Sequence, residues 1–446
     1  MSRLSALFLI LAVLNGFPQD VKKFNLSQAV NFALQNAYSL KNAELDIEIS
    51  RAKVKETTAI GLPQVSAEGQ FQDFTQIPVS FIPAQIFNPL APEGTFMPVK
   101  FGTQFRTQGT VSASQLIFDG SYIVGLQAAK SYVELSENQK KKLELETKAN
   151  VTRAYYMILA TQESVEVTGK AYQTIEKLRA ETEEMYKAGI IEEQNLDQIN
   201  ISVATVKNNY EQTRRNLVNA YKALKFQMGI PVNDSVVVTE TLDDILNHIT
   251  FEDALQTPLN IENHIDYNLA LTQKKLMQLS LKREKFMFFP TVAAFLSHSQ
   301  MLQSNEFNDL YDGDTDWFPS TVIGFNIKLP LFSSGMRWFK ISQAKKEVEK
   351  SENLIKQAEE GLKLQESQSK TNLLNAYKNY LTEKENLQLA EKILNKTIIK
   401  YKEGMASGIE LTQAENQHIA AQANYIASVV QLLNAKVELD KILNKL

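Results

Sequence analysis

From Ser121 to Tyr186 the chain contains no proline and has a composition that favours helix. A single helix over this run would extend about 99 Å at 1.5 Å per residue. Helices of globular domains average about a dozen residues, so a helix this long needs support from a partner along its length. A second proline-free run, which ends at Tyr401, has the same requirement.

The two long runs end in matching sequences. YKAGIIEEQNLDQ starts at Tyr186 and YKEGMASGIELTQ starts at Tyr401, and the two align residue for residue. An apolar seam with alternating spacings of three and four residues follows each of them, which indicates a coiled-coil partner. The two seams keep the same offset in numbering as the two tyrosines, which indicates an internal repeat. The first seam is Leu196, Ile199, Val203, Val206, Tyr210, Thr213, Leu217, Ala220 and Leu224, and the second starts at Leu411 and ends at Leu439.

Four segments outside the helical runs have a period of two, at about 64–76, 103–118, 290–302 and 317–332. One face of each segment is mostly apolar, and the other face carries Gln, Ser, Thr and Arg. Aromatic residues cluster at the ends of the segments. Such strands, joined through long loops, are typical of an outer-membrane β-barrel with a wet interior. A soluble sandwich, whose strands hide one face in a core, is the alternative.

Four strands are too few to close a barrel. An open sheet edge in lipid would leave unpaired backbone groups, each at a cost of several kcal/mol, so the chain must assemble. Two copies would give eight strands with a filled interior, whereas three would give twelve strands around a channel. A trimer is therefore preferred if the chain forms a conduit, with twelve helices forming a tube of coiled coils about 100 Å long.

The chain divides into a signal peptide, two repeats and a linker. The signal peptide is predicted at 1–18, because its apolar run is too short for a membrane helix of about 20 residues. A buried N-terminal helix is the alternative. The first repeat covers 24–230, the linker 231–259 and the second repeat 260–446, with helical hairpin tips at 186–195 and 401–410. VVVTET at 236–241 is a candidate short strand within the linker.

Composition argues against several classes of function. The net charge of -4 and the pI near 5.8 argue against nucleic acid as a partner. The absence of cysteine excludes disulfides, thiol nucleophiles and an acylated N-terminal cysteine. Four dispersed histidines lack metal-site spacing, and the acidic loop at 308–317 lacks the later ligands of a calcium loop. No enzyme, cofactor or metal is expected.

Several stretches together resemble the TolC family of outer-membrane efflux proteins. They are VSASQLIFDG (111–120), IKLPLFSSG (327–335) and the two YKxG turns, in that family's order and spacing. The ending at 410–443 resembles members found in Bacteroidetes, and the resemblance covers nearly the whole mature chain. It implies a mainly α-helical fold with a membrane β-barrel: a TolC-like trimer with a 12-stranded barrel, a periplasmic helical barrel and an equatorial region that includes the linker.

The resemblance also implies a function. Such proteins are exit ducts of tripartite efflux or type I secretion systems, and they export small molecules or proteins without a cofactor or catalysis. Their partners are outer-membrane lipid, a periplasmic adaptor (membrane fusion) protein and an inner-membrane pump. A secreted or periplasmic coiled-coil scaffold without channel activity is the alternative function, although a scaffold has no need of strands that end in aromatic residues.

Two sets of residues acquire roles from the resemblance. The family's adaptor-docking tips correspond to Gly189, Ile190, Ile191, Gly404, Met405 and Ala406. Its periplasmic gate corresponds to Glu410, Gln413, Tyr401 and Asn195. Three copies of Glu410 would form an acidic ring that favours cations, while Gln413 removes a second such ring. An ordinary solvated helix charge is the alternative for Glu410, and an unpartnered hairpin turn is the alternative for each tip.

Overall fold

The protein is described by a computed structural model over residues 22–248 and 255–446, and these residues are mainly helical. The helices are α1 (Leu26–Asn36), α2 (Tyr38–Ala59), α3 (Gly120–Lys187), α4 (Glu193–Gln227), α5 (Leu242–His248), α6 (Ile265–Phe286), α7 (Met336–Lys402) and α8 (Gly408–Ile442). The strands are β1 (Lys22–Phe24), β2 (Gln64–Asp73), β3 (Val79–Pro83), β4 (Phe96–Lys100), β5 (Phe105–Phe118), β6 (Val236–Val238), β7 (Thr291–Ser304) and β8 (Phe318–Lys328). The predicted signal peptide at 1–18 and part of the predicted linker lie outside the described residues.

Both long helical runs are confirmed as single helices. α3 has 68 residues and α7 has 67, and each is followed by a returning helix of 35 residues.

The start of α3 explains the FDG motif. The Asp119 carboxylate accepts a hydrogen bond of 3.0 Å from the Tyr122 backbone N–H and one of 2.6 Å from the Ser121 hydroxyl. An aspartate in this position satisfies N–H groups that the helix itself leaves without partners.

The described residues form two compact units. Unit A contains the described parts of 1–46, 136–271 and 354–446, and unit B contains 47–135 and 272–353. All four boundaries fall inside helices, within α2, α3, α6 and α7.

Unit B contains an antiparallel sheet in the order β2-β5-β7-β8. Its central pair, β5 with β7, joins a strand of the first repeat to a strand of the second. Neither outer edge, on β2 or on β8, has a partner within the described part of the chain. The register aligns apolar residues of all four strands on one face, as at Val65, Ala113, Leu296 and Ile323. β7 is the least regular strand, because it also places His298 on that face.

The apolar face of this sheet is open. Ile323 and Phe325 of β8 are 80% and 71% exposed, and Val65 of β2 is 71% exposed. The opposite face carries hydrogen-bonding side chains, such as Ser66 and Ser112, whose hydroxyls lie 2.9 Å apart. Contiguous exposed apolar surface of this kind marks a membrane or protein interface.

Three strands end two residues or more away from their predicted C-terminal ends. β2 ends at Asp73, before the predicted end at 76, and β8 ends at Lys328, before the predicted end at 332. β7 extends to Ser304, beyond the predicted end at 302. The proline- and phenylalanine-rich segment between β2 and β5 also contains a hairpin, β3 with β4, that was not predicted. Pro83 and Pro98 lie in those strands, and proline weakens any strand prediction because it cannot donate to the ladder.

Unit A is built from the long helices around one principal core. Tyr155, Ile158, Leu224, Leu373 and Leu432 are fully or almost fully buried there. Both predicted coiled-coil seams are buried or half-buried along their length. The VVV stretch forms β6, which pairs in parallel with β1.

The N-terminal helical segment is divided into two helices. Asn25 caps α1 in a reciprocal box with Gln28. The helix is interrupted at Ala37, whose backbone is extended, before α2 begins. None of the helices described is both long and apolar enough to span a membrane.

Candidate functional site

The two hairpin tips have the same turn geometry. At the first tip the Ile190 N–H donates to the Met185 carbonyl at 2.9 Å, and the Gly189 N–H donates to the Tyr186 carbonyl at 2.8 Å. This pair of bonds is a Schellman motif, in which a left-handed residue ends the helix. Gly189 has a φ of 71°, a conformation that glycine adopts without steric cost.

The second tip repeats this motif at the equivalent position of the second repeat. Met405 donates to the Lys400 carbonyl at 2.7 Å, Gly404 donates to the Tyr401 carbonyl at 3.0 Å, and the φ of Gly404 is 69°. Two independent glycines therefore hold the same reversal of the backbone. The YKxG sequence encodes this reversal, because its tyrosine supplies an acceptor carbonyl and its glycine supplies the left-handed residue.

The returning helices start differently at the two tips. Ser407 caps α8 in a reciprocal box: the Glu410 N–H donates to Ser407 Oγ at 3.2 Å, and the Ser407 N–H donates to Glu410 Oε2 at 2.7 Å. Glu192 occupies the equivalent position before α4 and makes no side-chain cap. Glu410 and Asn195 are thus the same position in the two repeats, the third residue after the cap.

Glu410 is exposed and ionised. The Ser407 backbone N–H, and after it the Ser407 hydroxyl, hold the pKa of the Glu410 carboxyl below its ordinary value of 4.5. Gln413, one helical turn later, is also exposed. Because three residues separate them on α8, both side chains lie on the same side of that helix.

Tyr401 is half-buried beside an apolar cluster. Its ring packs against the cluster formed by Ile175, Leu178, Ile199, Val206 and Leu411, which draws on α3, α4 and α8. Asn195 is half-buried at the start of α4. Within the described residues of one chain, no hydrogen bond joins the Tyr401 hydroxyl to Asn195.

Exposed apolar side chains surround both turns. Ile190 and Met405 are each 70% exposed, and Ile409 at the start of α8 is 63% exposed. Ile191 and Ala406, which the sequence also singled out, are half-buried. Ile409 was not predicted, although its place between the second turn and the α8 seam was a signal that could have indicated it.

A buried polar pair lies close to the second tip. Glu415 and His418, one turn apart on α8, are only 7% and 8% exposed. They line a cavity of about 330 Å³ together with apolar residues of α3, α4 and α7. The Ser202 hydroxyl of α4 lies 3.1 Å from that of Thr412, one turn before Glu415.

Burial dominates the protonation of this pair. Desolvation raises the pKa of Glu415 to about 7, and a hydrogen bond from the Ser202 hydroxyl opposes this by a smaller amount. Desolvation also lowers the pKa of His418, and the negative charge of Glu391 opposes this by a smaller amount. His418 belongs to the second predicted seam, and it is buried there. Glu415 was missed, although it is the only acidic or basic residue, His418 apart, between 411 and 435.

No group of three or more His, Cys, Asp or Glu able to hold a metal ion occurs in the part of the chain that the structure describes. The candidate site is a pair of Schellman turns with exposed apolar side chains, together with the exposed carboxylate of Glu410 and the half-buried Tyr401.

The family comparison identifies the class of protein. The model of the outer membrane efflux protein family matches residues 29–229 and 278–445, which together make up most of the chain. The chain therefore belongs to this family of efflux channels, and it is a protein of the outer membrane. The two matched segments correspond to the two repeats. A comparison with curated protein sequences gives no match.

Solved structures of outer-membrane channels share the fold. CmeC of Campylobacter jejuni has 18% sequence identity and a TM-score of 0.68, over 94% of this chain and 86% of that one. VceC of Vibrio cholerae has 17% identity and a TM-score of 0.66, over 94% and 95%. MtrE of Neisseria gonorrhoeae has 17% identity and a TM-score of 0.67, over 94% and 88%. The predicted TolC-like fold is confirmed.

Proposed function

We propose that three copies of the chain form an exit duct through the outer membrane, as part of a tripartite efflux or type I secretion system. The observation that carries this proposal is the four-stranded sheet of unit B, with its exposed apolar face and two unpaired edges among the described residues. Lipid would cover the apolar face, and further copies would pair the edges. Three copies supply twelve strands, enough for an aqueous interior. The duct exports small molecules or proteins, uses no cofactor and performs no catalysis.

The number of chains per particle tests this proposal. We expect the full chain to fractionate with outer membranes, to require detergent, and to give a particle with the mass of three chains and a heat-resistant β signal. A coiled-coil scaffold would stay soluble after export. A soluble monomer or dimer would therefore contradict the duct and favour the scaffold.

The hairpin tips are the proposed docking surface for a periplasmic adaptor protein, which in turn engages an inner-membrane pump. Support comes from Ile190, Met405 and Ile409, which are exposed apolar side chains held on rigid turns. The other predicted tip residues, Gly189, Ile191, Gly404 and Ala406, complete this surface.

A photo-crosslinker at position 190 or 405 should capture the adaptor in cells. The matched control is position 201, because Ile201 is equally apolar and 63% exposed but lies on α4, away from the turns. Capture at 201 as strong as capture at the tips would contradict docking at the tips.

Glu410, Gln413, Tyr401 and Asn195 are proposed to form the periplasmic gate. Because Asn195 offers an amide and no charge, we expect a weakly held closed state, latched by hydrogen bonds of the Tyr401 hydroxyl to a neighbouring copy. Tyr401→Phe should then raise the open probability in planar bilayers, since the ring is kept and only the hydroxyl is removed. An identical open probability of the two proteins would refute the latch.

A further inference from the structure

Three helices of unit A each carry an unbroken row of uncharged side chains. Each row follows the alternating three- and four-residue spacing of a coiled-coil stripe, so its members share one side of the helix. On α4 the row is Asn195, Gln198, Ser202, Thr205, Asn209, Gln212, Asn216 and Asn219. On α8 it is Gln413, Gln417, Ala420, Asn424, Ala427, Gln431 and Asn434, and on α7 it is Gln365, Gln368, Asn372, Asn375, Asn379, Thr382 and Asn386. We call these the neutral rows.

The neutral rows lie on the surface, where charge is expected. Apart from Ser202, which is buried, every member is exposed or half-buried. Charged residues make up 22% of the chain, and solvated helix faces ordinarily carry most of them. The other faces of α4 and α7 do so: Lys207 and Arg214 lie on α4, and Lys370 and Lys378 on α7, beside the neutral rows. On these two helices the absence of charge is a property of one side, whereas on α8 the only acidic or basic residues between 411 and 435 are the buried Glu415 and His418.

The fold brings the three rows together. Asn209, Gln212 and Asn216 of α4 line a cavity of about 550 Å³ with Ala427, Gln431 and Asn434 of α8. The last two also line an adjoining cavity of about 580 Å³ with Asn372 and Asn375 of α7. Helices from both repeats thus present their uncharged sides to one continuous recess.

Charge occurs only at the two ends of the α8 row. The residue one step before Gln413 in the stripe is Glu410, and the residue one step after Asn434 is Glu438. Glu438 is neutralised by an ion pair with Arg153 at the edge of the second cavity. Within the described residues, Glu410 remains as the one unpaired charge of the stripe, over a distance of about 42 Å along the helix.

We propose that the neutral rows are the surface that the exported solute contacts, and that this surface does not select by charge. The inference rests on the proposed duct and specifies its solute class as polar molecules of either charge sign. Asn and Gln side chains each offer donors and an acceptor, so they replace the hydration of a polar solute without attracting or repelling its charge. A route dedicated to cations or anions is built instead from rings of like charges. Charge preference is then confined to Glu410.

Adding a positive charge on one side of α4, and removing one from the other side, tests the proposal. Gln212 and Arg214 are two residues apart, so they lie about 200° apart around the helix. Only Gln212 lines the recess, whereas Arg214 is exposed beside Glu211. In planar bilayers under a KCl gradient, Gln212→Arg should shift the ratio of cation to anion permeability several-fold towards anions. Arg214→Gln should leave the ratio unchanged, and Glu410→Gln should remove the weak cation preference of the unmodified duct.

Equal effects of Gln212→Arg and Arg214→Gln, or no effect of Gln212→Arg, would overturn the proposal. If the oligomer conducts but the permeability ratio does not change as predicted, the neutral lining is wrong and the proposed duct stands. If the unmodified oligomer never conducts, the proposed duct itself is wrong.

If Gln212→Arg prevents assembly, the lack of native cysteine allows the charge to be added after folding. Gln212→Cys and its control Arg214→Cys would be assembled first and then treated with a cationic thiol reagent. Reagent should shift the permeability ratio only in Gln212→Cys, and an unchanged ratio there would refute the neutral lining.

Discussion

The buried residues Glu415 and His418 respond to pH in opposite directions. The pKa of Glu415 is about 7 in the folded protein against 4.5 ordinarily, so its contribution to stability is fully present below pH 4.5 and is lost as the pH rises through 7. The pKa of His418 is lowered, so its contribution is present above its ordinary value of 6.5 and is lost as the pH falls. As the pH falls below 6.5, the contribution of Glu415 increases while that of His418 decreases.

Removing either side chain should reveal the pH dependence of stability that the other one causes. As the pH rises from 4.5 to 8, the free energy of unfolding of Glu415→Gln should increase by about 3 kcal/mol relative to that of the unmodified protein, because the variant has no buried carboxyl to ionise. His418→Gln should instead steepen the loss of stability as the pH rises. Helical circular dichroism during thermal unfolding, followed at several pH values, measures both. Parallel pH profiles for all three proteins would contradict the assignment.

The asymmetry of the two tips predicts an asymmetry of local stability. Ser407→Ala removes the capping box of α8 and should destabilise its first turn by about 1 kcal/mol. Glu192→Ala is the matched control, since Glu192 stands at the same position before α4 without a side-chain cap. Native-state hydrogen exchange of the first-turn amides reports each effect. Similar exchange in both variants would show that the box contributes nothing.

At the scale of elements, periodicity determined how much of the fold could be predicted. Long proline-free runs and heptad seams are local patterns, and α3, α4, α7 and α8 followed from them. The β3–β4 hairpin was missed because its prolines and short strands give no clear alternation. Asn25 caps α1 although Ser27 is an equally good residue type for a cap, and only the reciprocal bond with Gln28 decides between them.

The candidate site was less accessible to sequence reasoning. The turn glycines could be recognised from their repetition at a fixed offset. The burial of Glu415 depends on α3, α4 and α7, and α3 and α4 belong to the other repeat, far away in the chain. A seam of three- and four-residue spacings marks positions 411, 414 and 418, and it does not show that a residue beside the seam is covered by another helix.

The two faces of strand β8 should differ in their tolerance of charge. Ile323 lies on the exposed apolar face and Val322 on the polar face, one residue away and at nearly the same depth. Ile323→Lys should reduce membrane assembly, because a lysine facing lipid near mid-depth costs about 2–4 kcal/mol. Val322→Lys should assemble normally in a wet interior. The yield of heat-resistant oligomer in outer membranes measures both variants, and equal yields would argue against lipid on the apolar face.

At the scale of the whole molecule, the described part of a single chain leaves sheet edges and apolar surface without partners. The sheet of unit B has two unpaired edges among the residues described, and its apolar face is exposed. The helices of unit A carry neutral rows that line a recess. Both features are explained if several chains enclose a water-filled route, with lipid outside the strands and solute inside the helices.

Single-channel recording of the purified oligomer in a planar bilayer tests this account most directly. We predict discrete conductance steps that require the assembled oligomer and disappear when heat dissociates it. A membrane-inserted, heat-resistant oligomer that produces no conductance steps at any applied voltage would contradict the proposed duct.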